Sequence, residues 1–238
     1  MAPAYVLHQY AYRDTSRIVE IFSAEHGRVT LFARGANGPK SSLKGVLRPF
    51  QRLLLSWSGK TEACALIGAE VDGPATSLRR ERLMSGFYMN ELLLKLTVRW
   101  DPHQEIFCSY ASSIEALCAG EREDAALRRF EKRLLRDLGY GLQLTRTEDG
   151  LPVVPDRYYR FALEGGPQPC VADAPGAVYG SSLTDLEAER FDDSRSLRDA
   201  KRVLRAAIDG CLDGRVLKSR EVMRALRPSR PESSTERP

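Results

Sequence analysis

Residues 17–33, RIVEIFSAEHGRVTLFA, hold two β-branched, apolar runs on either side of a turn. Arg17–Ser23 is β-branched and apolar, Arg28–Ala33 alternates with the period of a strand, and His26-Gly27 supplies the turn between them. This hairpin sets the reading of its neighbours. Tyr5–Tyr12 alternates in the same way before it. After it, Phe50–Trp57 and Thr61–Val71 form two more strand-like runs around Ser58-Gly59. Five short strands at close spacing predict a small closed β-barrel, and the OB type is the common five-stranded form.

At Asp72-Gly73-Pro74 the texture changes from strand to helix. The apolar spacing of Leu83, Phe87, Leu94 and Val98 predicts one helix within Ser77–Arg99. Asp101-Pro102, with Gln104 behind it, predicts the start of a second, Asp101 acting as N-cap. Gly120 would end that helix. A third is predicted over Glu123–Leu138, with Leu127, Phe130, Leu134, Leu135 and Leu138 on one side and Gly139 as its stop. Residues 139–180, rich in Gly and Pro, read as irregular or short extended structure. Helices follow over Leu183–Glu189, Leu197–Leu212 (capped by Ser196) and Ser219–Leu226. Pro228–Pro238 is polar, proline-punctuated and expected to be disordered. The fold class is therefore α+β. An OB-type nucleic-acid-binding domain is expected over residues 1–73, an α-helical domain over 74–227, and a tail over 228–238.

Composition excludes several functional classes. No run of about 18 apolar residues exists, so no membrane helix is expected. The first dozen residues lack a signal-peptide pattern. Five cysteines, an odd number without any C-x-x-C pair, argue against a disulfide framework or structural zinc. Cys108 and Cys118 read as reduced core thiols, which fits a reducing cytoplasm. Catalysis has no visible apparatus. There is no G-x-x-x-x-G-K-[ST] loop and no G-x-S-x-G elbow. His8, His26 and His103 lack metal-ligand spacing, and Gly35-Ala36-Asn37-Gly38 reads as a tight turn rather than a KH loop. The chain is read as a non-enzyme.

Charge points elsewhere. The net charge is only +4, yet residues 1–60 carry nine cations against three acids, and Arg34 to Arg52 holds five cations and no acid. Such a stripe neutralises phosphates and releases their counterions. In OB barrels, cations track the backbone of a single strand while aromatics stack its bases. The candidate DNA-binding set is therefore Arg13, Arg34, Lys40, Lys44 and Arg48 with Tyr12. Two more basic clusters follow. One is Arg128, Arg129, Lys132, Arg133 and Arg136 on the third central helix. The other is Arg215, Lys218, Arg220, Arg224, Arg227 and Arg230 near the end.

Several ordered motifs in this sequence resemble the RecO family. They begin with Arg13-Asp14, Ser16, Ile18-Val19, Phe22, Gly27, Ala33-Arg34-Gly35-Ala36, Ser41 and Leu47-x-Pro49-Phe50. Next come Tyr88-Met89-Asn90-Glu91-Leu92-Leu93, Asp101-Pro102-His103 and Phe107-x-x-Tyr110. Phe130-Glu131 through Gly141, and Leu217-Lys218-Ser219-Arg220-Glu221, complete the series. The resemblance covers about residues 4–227. It implies an OB barrel packed on a helical domain, binding of single- and double-stranded DNA, and annealing of complementary strands. It implies RecR and the acidic C-terminal tail of single-stranded DNA-binding protein as partners. The implied role is RecA loading in gap repair and recombination, and the implied location is the cytoplasm, at the nucleoid. Some members carry a four-cysteine zinc module after the third helix. Here only Cys170 lies in that stretch, so neither zinc nor another cofactor is expected. Arg128 and Arg129 match the helix position expected to receive the tail's terminal carboxylate, with Lys218 as a further candidate and Leu127 or Leu134 in an apolar groove. The competing reading is a protein-binding adaptor whose barrel contacts only proteins.

Overall fold

A computed structural model describes residues 1–39, 41–59 and 63–226. Lys40, and the tail predicted over 228–238, lie outside the described residues.

Five strands close the expected barrel: β1 (Ala2–Tyr12), β2 (Ser16–Ser23), β3 (Gly27–Ala33), β4 (Arg52–Ser58) and β5 (Cys64–Val71). Their order is β1-β2-β3-β5-β4, antiparallel except for β3 against β5. This is the OB arrangement. The short helix α1 (Leu43–Val46) bridges β3 and β4. Ala4, Val6, Val19, Ile21, Val29, Leu31, Leu53 and Leu55 fill the barrel interior.

After a 3-10 turn at Arg80–Arg82 come α2 (Leu83–Leu96), α3 (Gln104–Ala119) and α4 (Glu123–Asp137). Then follow β6 (Tyr158–Ala162), β7 (Gly166–Cys170), β8 (Ala177–Tyr179), α5 (Gly180–Glu187), α6 (Ser194–Leu212) and α7 (Lys218–Ala225). Part of the stretch read as irregular or short extended thus forms a three-stranded sheet of order β7-β6-β8. Its strands are three to five residues long, too short to show a period, and β7 is interrupted by Pro167 and Pro169.

Other expectations are corrected. α3 starts at Gln104, and Asp101 does not cap it; the Asp101 carboxylate instead meets His103 Nε2 at 3.0 Å. Asp193, not Ser196, caps α6, and its side chain accepts from the Ser196 backbone N–H. The buried face of α2 is Tyr88, Met89, Leu92 and Leu93, whereas Phe87 is exposed. α2 is central and touches β1, α4, α6 and α7, so it has no single apolar stripe to read. Cys108 is exposed, because the core face of α3 runs through Ile106, Phe107, Tyr110, Ile114 and Leu117.

Barrel and helices share one core. Tyr5, Leu7, Phe22 and Phe50 point outward from the barrel and are buried against α2 and α3. Asn90 locks the seam, donating to the Leu7 carbonyl at 2.9 Å and accepting from the Tyr110 hydroxyl at 2.6 Å. At the start of β3 the Trp100 N–H donates to the Arg28 carbonyl at 3.0 Å. The buried Glu20 carboxylate accepts from Thr30 and Arg99, each at 2.8 Å, and Arg28 donates to the Leu94 carbonyl.

Candidate nucleic-acid interface and peptide pocket

The β1–β2 turn and the loop after β3 meet at one end of the barrel. Arg17 joins them, donating to Gln9 Oε1 at 2.7 Å and to Asn37 Oδ1 at 3.0 Å. Asn37 N–H donates to the Thr15 carbonyl at 2.7 Å, and Gln9 Nε2 to the Leu47 carbonyl at 2.9 Å. Gly38 N–H closes on the Gly35 carbonyl at 3.0 Å, so the G-x-x-G segment is a tight turn. The composition of the loop marked it as exposed and basic. It did not show that Gln9, Arg17 and Asn37 hold its shape, because a polar residue on a strand gives no sign of its partner.

Four side chains cluster on this scaffold. Tyr12 and Phe32 meet edge to face at 5.3 Å. The Arg13 guanidinium lies 5.4 Å from the Tyr12 ring centre, and Arg34 lies 6.0 Å from that of Phe32. Arg13 holds a left-handed backbone, φ 53°, which turns its side chain back over the strand. Lys44 on α1 and Arg48 just after it are exposed. Among the described residues no carboxylate pairs with Arg13, Arg34, Lys44 or Arg48. An unpaired guanidinium beside a half-exposed ring can hold a phosphate while the ring takes a base.

The cations of α4 are arranged differently. Each has a carboxylate within 4.0 Å: Arg128 with Glu131, Arg129 with Glu121, Lys132 with Glu187, Arg133 with Glu189 and Arg136 with Asp137. Most of this basic face is neutralised within the fold.

A cavity of about 160 Å³ opens between four helices. α2 contributes Tyr88, α4 Leu127, Arg128 and Glu131, α6 Lys201 and Arg205, and α7 Arg220, Met223 and Arg224. Tyr88 hydroxyl donates to Glu131 Oε1 at 2.6 Å, and Arg128 Nη2 reaches the same oxygen at 2.7 Å. Arg128 Nε is buried without a protein acceptor. Burial, with the Glu131 carboxylate beside it, holds the Tyr88 phenol protonated far above its usual range. Arg220 lies over the Tyr88 ring at 5.7 Å and pairs with Asp209. Five cations around one carboxylate and an apolar floor suit an acidic ligand with one apolar side chain. Cavities of this order accept a benzene-sized group.

Of the residues expected at such a site, Arg128 and Leu127 line the cavity. Arg129 and Lys218 do not, and Leu134 is fully buried in the core. Arg205, Arg220 and Arg224 do line it; two of these belonged to the C-terminal basic cluster, and helical spacing could have flagged Arg205. Among the described residues no group of three or more His, Cys, Asp or Glu could hold a metal, and no helix is long and apolar enough to cross a membrane.

Comparison with known proteins agrees in both halves. Residues 1–71 match the model of the Recombination protein O N-terminal region, and residues 77–221 that of its C-terminal region. The chain is 43% identical over 230 residues to DNA repair protein RecO of Dechloromonas aromatica, covering 94% of this chain and 95% of the relative. It is 43% identical over 223 residues to that of Methylococcus capsulatus, covering 93% and 92%. For Burkholderia pseudomallei the identity is 39% over 224 residues, covering 93% of this chain and 82% of the relative. With both halves matched and identity sustained across nearly the full length, the chain belongs to the RecO family of DNA repair proteins.

Proposed function

We propose that this protein, whose family gives it a role in DNA repair and recombination, is a DNA-binding mediator without covalent chemistry. It binds single- and double-stranded DNA, anneals complementary strands and helps RecA load on DNA coated by single-stranded DNA-binding protein. The observation that carries this is the cluster of Tyr12, Phe32, Arg13 and Arg34 at the barrel end, with no carboxylate among the described residues neutralising either guanidinium. Lys44 and Arg48 extend the same surface, and Lys40, from the same basic stretch of sequence, is proposed to join them in binding DNA. Neutralising phosphates on two strands lowers their mutual repulsion, and loose stacking leaves the pairing edges of the bases free.

The four-helix cavity is the proposed seat for the acidic tail of single-stranded DNA-binding protein. An apolar tail side chain enters over Leu127 and Met223, and the terminal carboxylate meets Arg128 with Arg220 or Arg224. Arg129 and Lys218 stand outside the cavity and act on the acidic residues that precede the end. Residues 1–73 serve as the DNA-binding unit and 74–227 as the partner-binding unit, with RecR a second protein partner.

The test is annealing of two complementary fluorescent oligonucleotides, each coated with single-stranded DNA-binding protein, with and without an intact tail. Tail-dependent acceleration is expected. No acceleration by folded protein would overturn the mediator reading in favour of an adaptor that contacts only proteins.

A further inference from the structure

A second basic row stands on α6. The eleven residues from Arg195 to Arg205 hold five cations (Arg195, Arg198, Lys201, Arg202 and Arg205) and one acid, Asp199. Asp199 is buried and already accepts from Tyr179 N–H at 3.1 Å and Ser182 hydroxyl at 2.8 Å. At 100° per residue the five cations fall on one third of the helix circumference, opposite Leu197, Ala200, Val203, Leu204 and Ala207 in the core. They form a band about 15 Å long at 1.5 Å per residue.

Unlike the cations of the α4 face, the arginines of this row are poorly neutralised. Among the described residues Arg198 has no carboxylate partner. Arg202 donates to the Ala177 carbonyl at 3.1 Å, and the one carboxylate it reaches among the described residues is the engaged Asp199, at 3.5 Å, with its side chain 60% exposed. Arg205 shares Asp209, at 3.8 Å, with Arg220. At the far end, Arg195 sits over the Tyr179 ring at 5.1 Å, and Tyr179 meets the half-exposed Tyr158 edge to face at 5.1 Å. This repeats the barrel arrangement, in which Arg13 lies over Tyr12 and Tyr12 meets Phe32 edge to face.

We infer that α6, with Tyr158 and Tyr179 of the small sheet, is a second binding surface for a nucleic-acid strand. The inference rests on the reading of this protein as a DNA binder and goes beyond the barrel interface. Chemistry favours a nucleic acid over an acidic peptide. A rigid row of about 15 Å spans about four phosphates at the 3.4 Å spacing of one strand. The guanidinium–aromatic pair offers a stacking platform at its end, which a string of carboxylates would not use. The row also runs from the peptide cavity, which Lys201 and Arg205 line, out to Arg195 beyond it. α6 packs on α4, α5 and the small sheet, while α2 carries the contact with β1. One strand on the barrel and another on α6 would thus be held by different elements of one molecule, as annealing requires.

The test uses the full chain carrying R195Q, R198Q and R202Q, with labelled oligo(dT) bound across a salt series. The log–log slope is expected to fall in magnitude by about 2, at about 0.7 per lost phosphate contact on single strands. The single substitution R198Q, on an exposed side chain, is expected to lower it by about 0.7. Tyr158→Ala should weaken binding roughly fivefold or more through lost stacking. Affinity for the acidic tail peptide should stay within about twofold. An unchanged slope in both arginine variants, or a loss confined to the peptide, overturns the inference. A barrel variant (R13A, R34A and K44A) run alongside separates the two surfaces. If it binds DNA normally while the α6 variants lose slope, the barrel reading fails and this one stands.

Discussion

The Glu91 carboxylate on α2 caps α7 from outside that helix. It accepts from the Ser219 backbone N–H at 2.8 Å, the Ser219 hydroxyl at 2.6 Å and the Lys218 backbone N–H at 2.9 Å. The residue at the N-cap position of α7, Leu217, has no side-chain acceptor, so these orphan donors depend on a residue 127 positions away. α7 carries Arg220, Met223 and Arg224 into the cavity, so Glu91 fixes one wall of the cavity proposed for the peptide without lining it.

Glu91→Gln keeps the shape but loses the charge at a helix N-terminus. A loss of about 1 kcal/mol is expected, typical of a cap, which corresponds to a Tm about 2–4 °C lower. Tail-peptide affinity should fall with it, while oligonucleotide affinity at the barrel should not change. A variant with wild-type Tm and peptide affinity would show that α7 docks through its apolar contacts alone.

Burial opposes ionisation of Glu91, but the hydrogen bonds from Ser219 and Lys218 outweigh it and hold the carboxyl below its ordinary value of 4.5. A depressed folded-state value means that the stabilisation is fully present above 4.5 and is lost as pH falls through the lower folded value. Denaturant titrations of the wild type and Glu91→Gln should therefore differ above pH 4.5 and converge in more acidic solution. A gap that persists unchanged to acid pH would mean that the carboxylate charge is not what holds α7.

Arg128 and Arg129 are neighbours in sequence with opposite expectations. Arg128→Ala leaves the buried Glu131 facing the Tyr88 hydroxyl alone; removing one partner of a buried pair costs about 3–5 kcal/mol. Arg129→Ala removes a surface pair with Glu121 and should cost about 0–1 kcal/mol. Thermal melts of the two single variants test this directly, and equal losses would refute the burial of the Arg128–Glu131 pair. Peptide binding should fall sharply only for the first, provided it is measured below its lowered Tm.

Gly27 has φ +64°, and a Cβ there would lie 1.9 Å from the Asp101 carbonyl oxygen. Gly27→Ala should cost upwards of about 3 kcal/mol, because the clash is with backbone and the conformation itself is strained. Chemical denaturation checks this, and a loss under about 1 kcal/mol would mean that the turn and the 99–101 segment separate readily.

Replacing Arg13, Arg34 and Lys44 with Ala should flatten the salt dependence of oligonucleotide binding by about 2 in log–log slope, with Tm unchanged. Wild-type affinity in the folded variant would remove this barrel end from the DNA site.

The barrel was legible because its strands are short runs, alternating or β-branched and apolar, and Gly27 breaks the chain where only a turn fits. α3 and α4 were legible for a similar reason: their apolar stripes face a single core. What escaped the sequence was decided by distant partners. α2 is buried on several sides, so Phe87 misled where Tyr88 and Met89 carry the packing. The strands β6–β8 are too short for periodicity. The α4 and α6 cations look alike as residue types, yet Glu121, Glu187 and Glu189 fall beside α4 only through folding. Lys218 was noticed for its charge, while its backbone N–H proved to be the structural part.

The seam between barrel and helices limits what evolution can do with this protein. β1 and β2 are buried on both faces, inward through Val6 and Ile21, outward through Leu7 and Phe22. A barrel cut free at residue 73 would present Tyr5, Leu7, Phe22 and Phe50 to water as one sticky face. Such a barrel is not a portable cassette that recombination can splice onto another scaffold. Barrel and helices must be inherited, translated and degraded together, and substitutions along their shared seam must be matched on both sides.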